Sequence, residues 1–156
     1  MTLPTKIYLS GPDGAGKSTM ATALNVAGYK IMKWSKPQPN EDYVQKAISQ
    51  ITSPDMLVLD RGWFGDLIYA PVFGNAPVIE EQDALNLLRL FVDRGNLLVY
   101  VRAEPAKLFR RIEERGDAYV QPNDIYDIAK RYEIFFHDLK HIHNIPYLII
   151  DTTNLF

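Results

Sequence analysis

The stretch Leu9-Ser-Gly-Pro-Asp-Gly-Ala-Gly-Lys-Ser-Thr-Met20 decides how the rest of the chain is read. From Gly11 to Ser18 it fits G-x-x-x-x-G-K-[ST]. Before it, Lys6-Ile7-Tyr8-Leu9-Ser10 reads as a short buried strand. After it, Met20, Ala21, Ala23, Leu24 and Ala27 recur at helical spacing until Gly28. A strand, a glycine loop and a helix N-terminus are the context this motif requires. Gly14 and Gly16 let backbone N–H groups curve around a polyphosphate, Lys17 reaches the outer phosphates, and the Ser18 hydroxyl ligates magnesium. The phosphate-binding set is Gly11, Asp13, Gly14, Ala15, Gly16, Lys17, Ser18 and Thr19. The motif implies a nucleoside triphosphate, expected as ATP, with Mg2+.

At 156 residues and a formal charge of −2, the chain is expected to form one domain with no general bias toward nucleic acid or membrane. It contains no cysteine, which excludes disulfides, thiolate nucleophiles and zinc–thiolate sites. No apolar run approaches the ~18 residues of a membrane span, and no leader is evident, so the expected location is cytoplasmic.

Five apolar, β-rich segments stand out, at 6–10, 29–34, 56–60, 97–101 and 146–151. Helical patterns separate them at 17–27, 41–51 (with Asn40 as N-cap), 79–93, 105–114 and 124–142 (with Asn123 as cap). This alternation predicts an α/β fold, a parallel sheet with helices on both faces. Ligands of such sheets gather beyond the carboxyl ends of the strands. There the third strand ends Met56-Leu57-Val58-Leu59-Asp60-Arg61, four apolar residues and a carboxylate. Asp60 at that position serves as a magnesium partner or as a proton acceptor for an attacking hydroxyl, and Arg61 offers a planar fork to a phosphate. The aromatic segment 61–74 is core packing by default and receives no element. Trp63 and Phe64, with Trp34 and Lys36 after the second strand, stand as candidates for lining an acceptor pocket. Arg111 and Arg115, favoured over Arg110, lie in a lid expected at about 106–122, where they supply charge to a transferred phosphoryl group. His137, His141 and His143 are read as a solvated helix face.

The motifs GPDGAGKST, LDRGWF, YVRAEPAKLFRRIEERGDAYV and IAKRYEIFF resemble the thymidylate kinase and deoxynucleoside kinase branch of the P-loop nucleotide kinases. The resemblance implies a three-layer P-loop kinase fold over residues 1–156, with a parallel five-stranded sheet of order 2-3-1-4-5. It implies a phosphotransferase whose catalytic residues are Lys17, Asp60, Arg111 and Arg115, with Ser18 and Asp60 at the metal. Asp13 is similar to the acidic loop residue directed at the acceptor's sugar 3′-hydroxyl, and Arg61 to the arginine near the acceptor's phosphate. Gly14 stands where some members carry a catalytic arginine, a charge the lid arginines then replace. Asp151-Thr152-Thr153 falls at the adenine-side loop.

Two departures matter. Gly62 replaces the tyrosine usual after Asp-Arg in thymidylate kinases, and residues 33–55 leave a shortened acceptor-binding region. The expected acceptor is a deoxypyrimidine nucleotide, dTMP or a modified dUMP. Related viral kinases act on 5-hydroxymethyluracil in DNA, which keeps DNA open as an acceptor. A deoxynucleoside acceptor, a noncatalytic nucleotide switch and a homodimer also remain open.

Overall fold

The computed structural model describes residues 3–35, 38, 40–116 and 120–155; Lys36 therefore lies outside the described residues. Five strands, β1 (Lys6–Ser10), β2 (Lys30–Lys33), β3 (Leu57–Asp60), β4 (Leu97–Arg102) and β5 (Leu148–Asp151), form one sheet. Its order is β2-β3-β1-β4-β5, and every pairing is parallel. The helices are α1 (Lys17–Val26), α2 (Tyr43–Thr52), α3 (Gly65–Val72), α4 (Glu81–Asp93), α5 (Pro105–Arg115) and α6 (Asp124–His141). The order is the one expected of a P-loop kinase fold. Among the described residues no helix is long and apolar enough to cross a membrane.

Central β1 is buried along its whole length, which is why it reads as an apolar run rather than an alternation. Even Lys6 is inside, its Nζ donating to the Ser53 carbonyl at 2.6 Å. The chain passes from β1 to the edge strand β2, returns through β3 beside β1, and continues on the other side with β4. The loops after β1 and β3 thereby open side by side.

The main differences from the sequence reading lie at the start of α2 and in the segment 61–74. The cap of α2 is Asp42, whose carboxylate accepts from the Gln45 amide at 3.0 Å. Asn40 has φ 68, a left-handed backbone incompatible with the extended N-cap conformation. Within the unassigned aromatic segment, Gly65–Val72 is the helix α3, with Pro71 in its last turn.

That segment also corrects the assignment of Trp63 and Phe64 to the acceptor pocket, because both are fully buried in the core. Phe64 stacks on Tyr8 at 4.9 Å and on Phe135 at 4.8 Å, and Trp63 meets Tyr8 edge-on at 4.8 Å. The Trp63 indole N–H donates to the Ala84 carbonyl at 3.3 Å, so its polar end is satisfied inside the protein. These contacts hold β1, α4 and α6 around one aromatic cluster.

Gly62 has a spatial cause. A Cβ there would overlap the ring and hydroxyl of Tyr8. The volume that a side chain at position 62 would enter is occupied from β1 by Tyr8. We expect Gly62→Ala to cost about 1–3 kcal/mol in urea unfolding, the usual range for overpacking. In a Tyr8→Leu background, where the ring is gone, the same change should cost less. Strictly additive costs would show that Tyr8 is not the obstacle.

Candidate active site

Residues 11–16 turn sharply between β1 and α1, with Gly14 at φ 84 and Gly16 at φ 98, left-handed conformations that glycine adopts without strain. Gly16 caps α1 without a side-chain hydrogen bond, and the first turn carries no acidic residue. The first amides of α1 are thus available to an anion, in the direction the helix dipole favours. Lys17 opens the helix and is buried. Its Nζ donates to the carbonyls of Gly11 at 2.5 Å and Pro12 at 3.0 Å. Burial lowers its pKa to about 8, with Asp13 and Asp60 opposing the shift and Arg61 and Arg115 reinforcing it.

The structure brings Ser18 and Asp60 together, the Ser18 Oγ donating to Asp60 Oδ2 at 3.0 Å. Two hard oxygen donors side by side at the end of β3 and the start of α1 suit a magnesium ion. Ala15 is buried within the loop, and Thr19 is exposed one residue beyond Ser18. Asp13, buried at 4% exposure, accepts from Arg61 Nη2 at 2.6 Å. Arg61 itself has φ 72, a conformation costing a non-glycine residue of order 1 kcal/mol. Its amide donates to the Leu9 carbonyl at 3.3 Å, and the Asp13 pairing secures its side chain.

Beside this pair opens a cavity of about 870 Å³. Lys17, Asp13, Ser10 and Arg61 line its phosphate side, while Trp34, Tyr43, Tyr69, Phe73 and Tyr132 provide aromatic walls. Trp34, a candidate for lining an acceptor pocket, is part of this cavity's wall. Its indole donates to the Tyr43 hydroxyl at 2.6 Å, and Lys46 Nζ sits 4.5 Å from the ring centre. Burial, with the Asp13 charge adding to it, pushes Tyr69 and Tyr132 far above the ordinary tyrosine range, so both stand as neutral hydroxyls.

Sequence reasoning missed four tyrosines of this cavity. Tyr8 was hidden in a strand buried on both faces. Tyr43 and Tyr132 read as helical apolar positions, and Tyr69 lay in a segment given no element.

The two lid arginines separate. Arg111 turns to the back of the phosphate loop, Nη1 donating to the Gly14 carbonyl at 2.9 Å and Nη2 to the Thr152 carbonyl at 2.7 Å. Arg115, exposed at the end of α5, is close enough to act electrostatically on Lys17. Part of the expected lid, residues 117–119, lies outside the described residues. Asp151 accepts from Arg102 at 2.5 Å and from the Thr153 amide at 2.9 Å, while Thr152 is fully buried. His137 and His141 face each other at 4.4 Å; among the described residues no three His, Cys, Asp or Glu side chains form a metal-sized group.

No protein-family profile matches the chain. The SPbeta prophage-derived uncharacterized protein YorR of Bacillus subtilis (strain 168) is 28% identical over 132 residues, covering 82% of this chain and 79% of YorR. The crystal structure of YorR in complex with phosphorylated GDP has a TM-score of 0.71 at 25% identity, covering 95% of this chain and 85% of that one. Deoxyadenosine kinase from M. mycoides with bound dATP has a TM-score of 0.62 at 19% identity, covering 94% and 90%. With dCTP bound, the same kinase has a TM-score of 0.59 at 20% identity, covering 94% and 89%. The fold of this chain is that of the P-loop nucleotide kinases.

Proposed function

We propose that this chain is a phosphotransferase that moves the terminal phosphoryl group of a nucleoside triphosphate to a deoxypyrimidine nucleotide, dTMP or a modified dUMP. One observation carries the reading. Lys17, which directly precedes Ser18 of the Ser18–Asp60 pair, lines the same aromatic cavity as Asp13 and Arg61, so the phosphate loop and the candidate acceptor groups share one wall. The YorR complex with phosphorylated GDP supports a nucleotide as ligand. Ser18 and Asp60 would hold a magnesium ion, which would supply neutralising charge to the outer phosphates. Lys17 exchanges its carbonyl partners for phosphate oxygens, and Arg115 meets charge that develops on the transferred group. Asp13 accepts from the acceptor's sugar hydroxyl while Arg61 presents its fork to the acceptor's phosphate. The aromatic walls hold the base and exclude water.

A deoxynucleoside acceptor is the second reading, and the cavity's charge favours it. Among the described lining residues Lys17 and Arg61 face Asp13 and Asp66, and Arg61 is already neutralised by Asp13. A hydroxyl acceptor needs a base rather than a cation, and Asp60 supplies one. DNA as acceptor receives little support from a chain of charge −2, since polymer affinity rests mainly on phosphate contacts.

Transfer of labelled γ-phosphate from ATP and GTP to nucleotides, nucleosides and oligonucleotides containing 5-hydroxymethyluracil separates these cases. Label on a deoxypyrimidine monophosphate is the expected result. Label confined to nucleosides or to oligonucleotides transfers the assignment to that acceptor, and triphosphate binding without any labelled acceptor overturns the enzyme reading.

Arg115→Ala should lower turnover about a hundredfold while changing triphosphate affinity little, as for loss of a transition-state contact. An equal loss in binding would make Arg115 a ground-state ligand.

Lys17 adds a pH dependence. With its pKa at about 8, the lysine is charged below that value and ready for polyphosphate. Above about 8 binding must first return the proton, so triphosphate affinity should fall up to tenfold per pH unit. Lys17→Arg, charged throughout, should flatten this slope in calorimetric titrations. The sign for folding is opposite. Between about 8 and the ordinary 10.5 the unfolded chain holds the extra proton, so burial of Lys17 becomes less costly as pH rises.

A further inference from the structure

We propose that Thr152 is a positioning residue of the phosphate loop, acting with Arg111 as a clamp on the consecutive carbonyls of Gly14 and Ala15. The inference rests on the reading of that loop as a triphosphate site. Thr152 follows β5 and is fully buried. Its amide donates to the Arg102 carbonyl at 2.8 Å, tying it to the end of β4. Its Oγ1 lies 2.6 Å from the Ala15 carbonyl and 3.3 Å from that of Arg102, so the closer Ala15 oxygen takes the single hydroxyl proton. The same Oγ1 accepts from Arg111 Nη1 at 3.1 Å, and that nitrogen also donates to the Gly14 carbonyl at 2.9 Å. Arg111 is anchored in turn by Nη2 on the Thr152 carbonyl at 2.7 Å.

The consequence follows from peptide geometry. In a trans peptide the carbonyl and the next N–H point in opposite directions. Holding the Ala15 carbonyl toward Thr152 therefore turns the Gly16 N–H away from β5, to the side where α1 begins and its amides collect. The peptide on the other side is fixed differently: the Gly14 carbonyl is held by Arg111, while the Ala15 amide donates to Pro12 at 3.2 Å and closes the turn. A glycine at φ 98 has wide conformational freedom, so nothing in Gly16 itself keeps that amide aimed. The hydroxyl of Thr152 supplies this restraint from behind the loop, without touching the nucleotide.

Titration calorimetry with MgATP and MgGTP on the wild-type chain, followed by steady-state kinetics of phosphoryl transfer, tests this. Thr152→Val should weaken nucleotide binding about tenfold, the order expected for one lost hydrogen bond. Turnover at saturating nucleotide should change much less, because a prealigned amide serves ground and transition states alike. Thr152→Ser keeps the hydroxyl and should restore affinity, which a loss of packing alone would not predict. Arg111→Gln should weaken binding as well, and the double variant should fall short of additivity. Unchanged affinity in Thr152→Val, no rescue by serine, or full additivity overturns the clamp. Where Thr152→Val does not fold, Thr152→Ser with wild-type affinity and Arg111→Gln with reduced affinity support it, and any other result in that pair overturns it. A wild-type chain that binds neither nucleotide overturns the triphosphate reading itself. Binding that the variants leave untouched overturns the clamp alone.

Discussion

Lys17, Asp13 and Asp60 are all withdrawn from water at the carboxyl ends of β1 and β3, with exposures of 6%, 4% and 4%. Each charge alone would be costly in that position, and none would persist without partners. The surrounding architecture provides them. The Gly11 and Pro12 carbonyls accept the lysine, Arg61 takes Asp13, and Ser18 takes one oxygen of Asp60. The left-handed backbone of Arg61 is part of this arrangement, since it carries the guanidinium from the end of β3 back across to the loop after β1. Buried charge held by polar partners is preorganised for a highly charged ligand, which can replace those partners without rebuilding the site.

What was legible in the sequence was local or periodic. The phosphate loop announces itself by residue type and spacing, and the alternation of strands and helices yields the parallel sheet through chain connectivity. Asp60 and Arg61 were legible because a strand's last residue lies where ligands gather. The directions of side chains just past that point were not. Trp63 and Phe64 occupy the turn leading into α3, and only the packing of α4 and α6 decides that they point inward. The helix itself was concealed by Gly65, Pro71 and Gly74, each a residue that normally punctuates loops. Tyr8 was hidden for a different reason. A strand buried on both faces carries no alternation from which to tell a core residue from one that also borders a cavity.

The aromatic cavity takes on a physical form in these terms. Its walls come from residues already needed for the fold, namely Tyr43 at the start of α2, Tyr69 on α3 and Tyr132 on α6. Tyr8 and Gly62 exchange bulk across the β1–β3 seam, leaving a filled core beneath the cavity where a side chain at position 62 would have projected. A compact chain thus builds an enclosure of about 870 Å³ by using core aromatics on both of their sides. The cost is coupling, because a change that alters the cavity wall also disturbs the core.

The same economy separates the arginines of α5. Residues four apart share a helix face, so Arg111 and Arg115 both face the loop side, whereas Arg110 is rotated away and exposed. One helical turn sets the difference between them. Arg111 reaches the loop's outer surface, where its fork fits two carbonyls and a hydroxyl. Arg115 stands a turn further along, in electrostatic reach of Lys17. Guanidinium geometry suits the first position because a planar donor array can span several fixed acceptors at once, as an ammonium cannot. At the second position charge matters more than shape. The helix therefore does two things with one repeated residue: it braces the loop from behind and keeps a second positive charge within electrostatic reach of Lys17.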